Sequence, residues 1–182
     1  MKGMVFTEFL EMVEEKFGYE VLDRVTSLPS LSQHGAYTSV GNYPHGEMIS
    51  MIDELHSAVG IPQQQLIFAF AEWLFNTFRR DYPAFFENMH SSFDFLYGIE
   101  TVIHSEVRRL YPDARLPSFE CQRDGDTQLV LEYSSWRPLA DLAEGLIRAA
   151  SQHFGEQILV KREPGPSGDS RSARFILCQN KE

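Results

Sequence analysis

FDFLYGIETVIHSEVRRL, residues 93–110, is the stretch whose reading decides the fold. Plotted at the helical period, Phe93, Phe95, Leu96, Tyr97, Ile99, Val102, Ile103, Val107 and Leu110 share one broad face. Asp94, Gly98, Thr101, Ser105, Arg108 and Arg109 take the other. The spacing predicts one amphipathic helix. Ser91 or Ser92 can cap it, Asp94 sits near the positive end of its dipole, and Tyr111-Pro112-Asp113 closes it. His104 lies at the edge of the apolar arc, flanked by Phe93, Tyr97 and Val107. One nitrogen of that imidazole is available to whatever the face packs against. On this helix alone, a core histidine bonded to a backbone carbonyl is the simpler account.

On the N-terminal side, Met1 to Phe17 reads as an amphipathic helix carrying Val5, Phe9, Met12 and Val13, stopped by Gly18. Glu20 to Val25 is a short helical run. Ser27 to Gly46 reads as an ordered loop, because Tyr37 and Tyr43 are costly to leave unpacked. Glu47 to Val59 returns to a helical pattern ended by Gly60. Pro62 fits a first helical position for a helix reaching about Arg80. Leu66, Ile67, Phe68, Phe70, Trp73, Leu74, Phe75 and Phe78 make that helix apolar on most sides, so it is buried or faces a bulky apolar ligand.

On the C-terminal side the period changes from 3.6 to 2. Phe119 to Gln122 and Thr127 to Ser135 read as strands joined through Arg123-Asp124-Gly125-Asp126. Pro138 can open a helix with Leu139, Leu142, Leu146 and Ile147. Gln157 to Arg162 and Arg174 to Cys178 read as a second hairpin across Pro164 to Asp169. The predicted class is α+β, a mostly helical N-terminal lobe followed by a four-stranded antiparallel sheet with an inserted helix. Residues 1–60 make the helical lobe and 61–182 the α/β lobe of a single domain.

With 182 residues, 43% of them apolar and 14 of them Phe, the chain can fill a core and line a cavity as well. A net charge of −10 argues against nucleic acid and against an anionic membrane surface as partners. Lys2 is followed by acidic residues with no signal-like apolar core, and no run approaches the ~18 apolar residues of a membrane span. The expected location is therefore cytoplasmic. Cys121 and Cys178 form no CxxC pair and read as reduced, buried thiols. Glu14/Glu15 and Asp53/Glu54 read as solvated helix faces rather than catalytic dyads.

Alternation along the strand toward Arg137 puts Tyr133, Ser135 and Arg137 on one face with Leu129 and Leu131. A phenol, a hydroxyl and a guanidinium in a row form a donor comb. The guanidinium can hold a carboxylate by two bonds, and the hydroxyls can satisfy its other lone pairs. An ordinary strand with a polar end is the plain alternative. An apolar cavity with a cationic comb at its rim suits a flat apolar ligand bearing two carboxylates. Haem is such a ligand, and its iron also needs a neutral imidazole from a fixed helix. His104 and the Tyr133/Ser135/Arg137 comb are complementary parts of that one reading.

Met1-Lys2-Gly3, Gly35-Ala36-Tyr37-Thr38, Ile103-His104, Tyr111-Pro112 and Tyr133-Ser134-Ser135-Trp136-Arg137 resemble the H-NOX (haem nitric oxide/oxygen) domains. These are bacterial relatives of the soluble guanylate cyclase haem domain. The resemblance covers essentially the whole chain in order. It implies one non-covalent haem b between the lobes, with His104 as proximal iron ligand and Tyr133, Ser135 and Arg137 on the propionates. It implies that Pro117 packs against the haem and bends it. It also implies a distal pocket of Val5, Phe9, Leu74, Phe78, Leu142 and Leu146. Ala71 stands where the family usually has glycine.

Oxygen-binding relatives place a tyrosine hydroxyl at the position of Leu142, and Phe9, Leu74, Phe78 and Leu146 also lack a donor. Losing such a donor forfeits roughly 1–3 kcal/mol, about one to two decades of affinity. The expected ligands are NO and CO, with no stable oxygen complex in air. The expected function is a nitric oxide sensor, not an enzyme. NO would weaken or break the bond from iron to His104, and the altered lobe geometry would regulate a partner. With 182 residues the effector is expected to be a separate protein, by resemblance a histidine kinase or a cyclic-di-GMP enzyme. The alternatives are an oxygen- or redox-sensing haem protein, a haem enzyme such as a peroxidase, and a cofactor-free interaction module. A peroxidase needs a distal acid–base group. His34 and His45 fall in the loop, His56 and His90 have no distal match, and His153 falls just past the late helix.

Overall fold

A computed structural model describes residues 1–166 and 168–179. Among these are seven α-helices and four strands, in an α+β arrangement. The helices are α1 (Gly3–Phe17), α2 (Tyr19–Thr26), α3 (His45–Val59), α4 (Gln63–Asp81), α5 (Ser92–Tyr97), α6 (His104–Leu110) and α7 (Ala140–His153). The strands are β1 (Ser118–Asp124), β2 (Gln128–Ser134), β3 (Ile158–Pro164) and β4 (Ser172–Gln179). Two compact units form, the first Met1–Thr77 and the second taking the chain from Phe78, so the division falls inside α4.

In the first unit, α1 buries Phe6, Phe9, Met12 and Val13, spaced at the helical period. Phe9 meets the Phe70 ring of α4 edge-on, with centroids 5.2 Å apart. Gly60 ends α3 in the left-handed conformation at φ 72°, where a side chain would be strained. The segment between α2 and α3 is ordered by specific partners. Tyr37 stacks on Phe6 at 4.5 Å, and Tyr43 packs edge-on against Tyr37 at 4.7 Å. The Tyr37 phenol and the Ser32 hydroxyl both donate to the Glu47 carboxylate at 2.6 Å. His45 is not in this loop, as the sequence reading has it, but begins α3.

In the second unit the strands lie in the order β1-β2-β4-β3, every neighbouring pair antiparallel. Leu129, Leu131 and Tyr133 on β2 face Leu177, Phe175 and Ala173 on β4, and all six are buried. Helix α7 packs on β3 and β4, and α5 packs on α7 and β1. The second hairpin turn includes Ser167, which lies outside the described residues. His153 is the last residue of α7 and not just past it.

The expected single helix over residues 93–110 is instead three segments. Ser91 caps α5, its hydroxyl accepting from the Asp94 amide at 3.0 Å. At Gly98 the ladder changes to a wider π-turn over Ile99–Ile103, and α6 resumes at His104. The Gly98 carbonyl accepts from both Val102 and Ile103 amides. One extra residue in a turn rotates everything after it, so the apolar face predicted from a constant period does not continue. Phe93, Phe95 and Leu96 are buried, whereas Tyr97, Val102 and Leu110 are exposed by 53%, 38% and 48%. His104, on the arc's edge in the sequence reading, is the buried residue of α6.

Candidate functional site

His104 opens α6 immediately after the π-turn and is 9% exposed. Its Nδ1 lies 2.9 Å from Glu100 Oε1, four residues earlier. The partner is thus a carboxylate and not the backbone carbonyl expected of a plain core histidine. Glu100 Oε1 also accepts the Phe119 amide at 2.9 Å, and Oε2 accepts Arg108 Nη2 at 3.2 Å. Burial pushes the His104 pKa below its ordinary value, while Glu100 pulls it part of the way back. Burial works to raise the Glu100 pKa, but the bonds from Phe119, His104 and Arg108 outweigh it and hold the carboxylate ionised. The result is a neutral imidazole with its Nδ1 proton committed to an anion. Nε2 is the nitrogen left to ligate.

Phe119, at the start of β1, joins this group to the next. Its ring centroid is 6.0 Å from that of His104 and 5.3 Å from that of Tyr133, its register partner on β2. Tyr133 is buried, and burial raises its phenol pKa against the opposing pull of the Ser135 hydrogen bond and the Arg137 charge. β2 ends at Ser134, so Ser135 and Arg137 are carried past the strand end. The Ser135 hydroxyl accepts the Arg137 amide at 3.1 Å, and the Ser135 amide donates to the Arg171 carbonyl at 2.8 Å.

The Arg137 guanidinium lies 4.3 Å from the Trp136 ring centroid, and Arg115 lies 4.4 Å from the same ring. Arg137 Nη1 donates to the Arg115 carbonyl at 3.3 Å. Its Nε is buried with no hydrogen-bond partner. Burial, then the charge of Arg115, lowers the pKa of this guanidinium, which stays a cation. A buried cationic N–H without an acceptor is costly. The donor set of Tyr133, Ser135 and Arg137 would relieve that cost on binding a carboxylate.

A haem therefore fits these residues on two counts, the neutral imidazole with a fixed tautomer and the orphaned guanidinium N–H beside two hydroxyl groups. The remaining sequence-predicted residues are distributed between the units. Val5, Phe9 and Leu74 belong to the first, with Phe9 and Leu74 buried and Val5 half-buried. Phe78, Pro117, Leu142 and Leu146 belong to the second and are each half-buried. Pro117 precedes β1 by one residue, and Leu142 and Leu146 lie one turn apart on α7. Ala71 is buried on α4.

Among the described residues no cluster of three or more His, Cys, Asp or Glu could hold a metal ion, and no helix is long and apolar enough to cross a membrane. His56 Nδ1 is bonded to the Ile61 carbonyl at 2.7 Å, and His153 packs against Phe86 and Phe154. Cys121 and Cys178 are free and half-buried, where the sequence reading has them buried. Burial pushes the Cys121 thiol up to about 11, far from a reactive thiolate.

Glu100, Phe119 and Arg115 were missed by the sequence reading. Glu100 had a legible signal, since a residue four before a histidine on a helix faces it. Phe119 and Arg115 are brought in by the turn from α6 into β1, which no local spacing reports.

A family model described as Haem-NO-binding (HNOB) matches residues 2–162. The H-NOX protein from K. algicida, in its Fe(II) unliganded form, is similar at 32% identity and a TM-score of 0.91, covering 100% of this chain and 98% of that one. The H-NOX from Shewanella woodyi in the Fe(II)CO state is 37% identical with a TM-score of 0.85, covering 99% and 95%. The H-NOX protein from S. oneidensis in the Fe(II)NO state is 27% identical with a TM-score of 0.88, covering 100% of both chains. The soluble guanylate cyclase gcy-33 of Caenorhabditis elegans is 30% identical over 173 residues, 91% of this chain; the chain spans only 18% of that relative's length. The chain belongs to the haem-NO-binding, or H-NOX, family, whose members are haem-based gas-sensor domains.

Proposed function

We propose that the protein is a nitric oxide sensor that uses one haem b, with His104 as its iron ligand and Tyr133, Ser135 and Arg137 on its propionates. The observation that carries this reading is the buried, neutral His104 imidazole with its Nδ1 anchored on Glu100. The orphaned Arg137 Nε supports the carboxylate half of it. When bound, the haem supplies an iron centre that takes up a diatomic gas.

The chain's own residues do the rest. Arg137 and the two hydroxyls pair the carboxylates, and His104 tethers the segment from the π-turn through α6. Were that hold on His104 loosened by NO, the segment would keep its contacts with β1, through Glu100 on the Phe119 amide and through the Phe119 ring. Two states of the domain then differ in whether the tether exists. Leu142, Phe9, Leu74, Phe78 and Leu146, the side chains this reading assigns to the gas, offer no hydrogen-bond donor. The reading therefore favours NO and CO over oxygen. The output it implies is regulation of a histidine kinase or a cyclic-di-GMP enzyme, and the domain itself carries no catalytic role.

Absorption spectra of the purified ferrous protein test this. A Soret band that shifts on adding NO and forms no lasting oxygen complex in air is expected. A persistent oxy spectrum in air overturns the selectivity, and a folded protein that takes up no haem overturns the whole reading.

A further inference from the structure

We propose that Glu100 is a positioning residue that fixes the His104 ring and couples any displacement of that ring to the first residues of β1. The inference rests on the reading of His104 as the iron ligand and assigns its neighbour a role. Glu100 sits inside the π-turn, the one irregular turn of the 92–110 segment. Such turns insert a residue and re-aim the side chains beyond them, and they recur at functional sites.

Three donors, two from α6 and one from β1, converge on this one carboxylate. Oε1 takes both the His104 Nδ1–H and the Phe119 amide, each at 2.9 Å, and Oε2 takes Arg108 at 3.2 Å. β1 is an edge strand, so its outward amides have no sheet partner. Glu100 covers the Phe119 amide on that open side. The Phe119 side chain stands between the rings of His104 and Tyr133. Phe119 is therefore bound to the His104 group twice, through its amide and through its ring. Pro117 lies two residues before it.

With Nδ1–H given to an anion, the Nε2 lone pair is fixed in direction and made more basic, which strengthens its bond to a metal. A shift of His104 relative to β1 must either drag Phe119 or break a bond at Glu100 Oε1. Glu100 thus links the tether on one side of the site to the strand whose first residues pair with Tyr133 and Ser134. An ordinary exposed helix pair four residues apart would stabilise α6 and do neither of these things. Arg109 with Glu106, three residues apart and 2.6 Å from each other on the exposed face of α6, is a pair of that ordinary kind.

The test uses the haem-loaded full chain. Glu100→Gln keeps the shape and removes the charge. It should lower the ferrous iron–histidine stretching frequency in resonance Raman and speed haem loss by roughly tenfold or more, the usual effect of removing a ligand's hydrogen-bond partner. Arg109→Ala, which removes the exposed pair, should move neither. In the wild type, hydrogen exchange of the Phe119 amide should quicken when NO is added. This measurement needs no variant and decides the coupling even if Glu100→Gln does not fold.

An unchanged frequency and unchanged haem retention in Glu100→Gln overturn the positioning role, and a Phe119 amide indifferent to NO overturns the coupling. His104→Gly separates the ligand assignment from the role of its neighbour. If it keeps the same iron–histidine band, the ligand assignment itself is wrong. If the band is lost there but unmoved in Glu100→Gln, only the role of Glu100 falls.

Discussion

Glu8 Oε2 lies 2.7 Å from the Thr77 hydroxyl, a buried carboxylate on α1 held by the far end of α4. The Trp73 indole N–H donates to the same oxygen at 2.9 Å. One acidic side chain thus joins two helices of the first unit, beside Phe9 and Leu74, the two buried distal candidates of that unit.

Removing Glu8 leaves an indole N–H and a hydroxyl without their acceptor. Glu8→Ala should cost about 2–4 kcal/mol, the range for breaking a buried charged bond and stranding its partners. Glu8→Gln, which keeps the shape and one acceptor, should cost about 1 kcal/mol. Urea denaturation of the three proteins measures both. A Glu8→Ala midpoint equal to that of the wild type would remove the case for this bond as a support of the α1–α4 packing.

Glu47 predicts an acid-side weakness. Burial tends to raise its pKa, but the bonds from Ser32 and Tyr37 outweigh this and leave it lowered from 4.5. A depressed carboxylate contributes stability that is full above the unfolded value and is lost as pH falls through the folded one. The thermal midpoint should therefore decline below about pH 4.5, with the loop packed on Phe6 loosening. Glu47→Gln should be less stable near neutrality and show a flatter decline. Parallel curves for the two proteins would refute the assignment.

How much of this was legible in the sequence depends on the range of the interaction. Strand alternation placed Leu129, Leu131 and Tyr133 on one face, and direct pairing with β4 bears that out. Helices α1, α3, α4 and α7 were legible from apolar spacing and the glycines and prolines at their ends. The 93–110 helix was not, because a period fitted over eighteen residues averages away a single inserted one. Val102 and Leu110 look apolar-faced only if Gly98 is an ordinary helical residue. The order of the loop before α3 was legible from its tyrosines, but their partners Glu47 and Phe6 were not. Those contacts depend on how α1 and α3 meet, and Arg115 reaches Trp136 only through the approach to β1.

Arg137 sets a prediction on cofactor retention. Its buried Nε lacks an acceptor, and a charge-assisted bond there is worth about 1.5–3 kcal/mol. Arg137→Ala should speed haem dissociation by about one to two decades, followed as transfer to an excess of apomyoglobin. Arg137→Lys should recover only part of the loss, because an ammonium cannot make the two-pronged contact. Full recovery by lysine would mean that charge alone matters.

Leu142 sets a prediction on gas choice. It is half-buried on α7, and its replacement by tyrosine brings a hydroxyl donor into an otherwise donor-free set. Leu142→Tyr should lengthen the life of the oxygen complex in air by about one to two decades, with little change in NO binding. Oxygen behaviour identical to that of the wild type would place this residue away from the gas.

The most direct measurement is the spectrum of ferrous His104→Gly beside the wild type, with NO and with free imidazole. The account predicts a Soret band in the wild type, loss of the iron–histidine signature in the variant, and its return when imidazole is added. A variant whose haem spectrum and NO response match the wild type without imidazole would contradict it, because the buried imidazole anchored on Glu100 would then not be the iron's ligand.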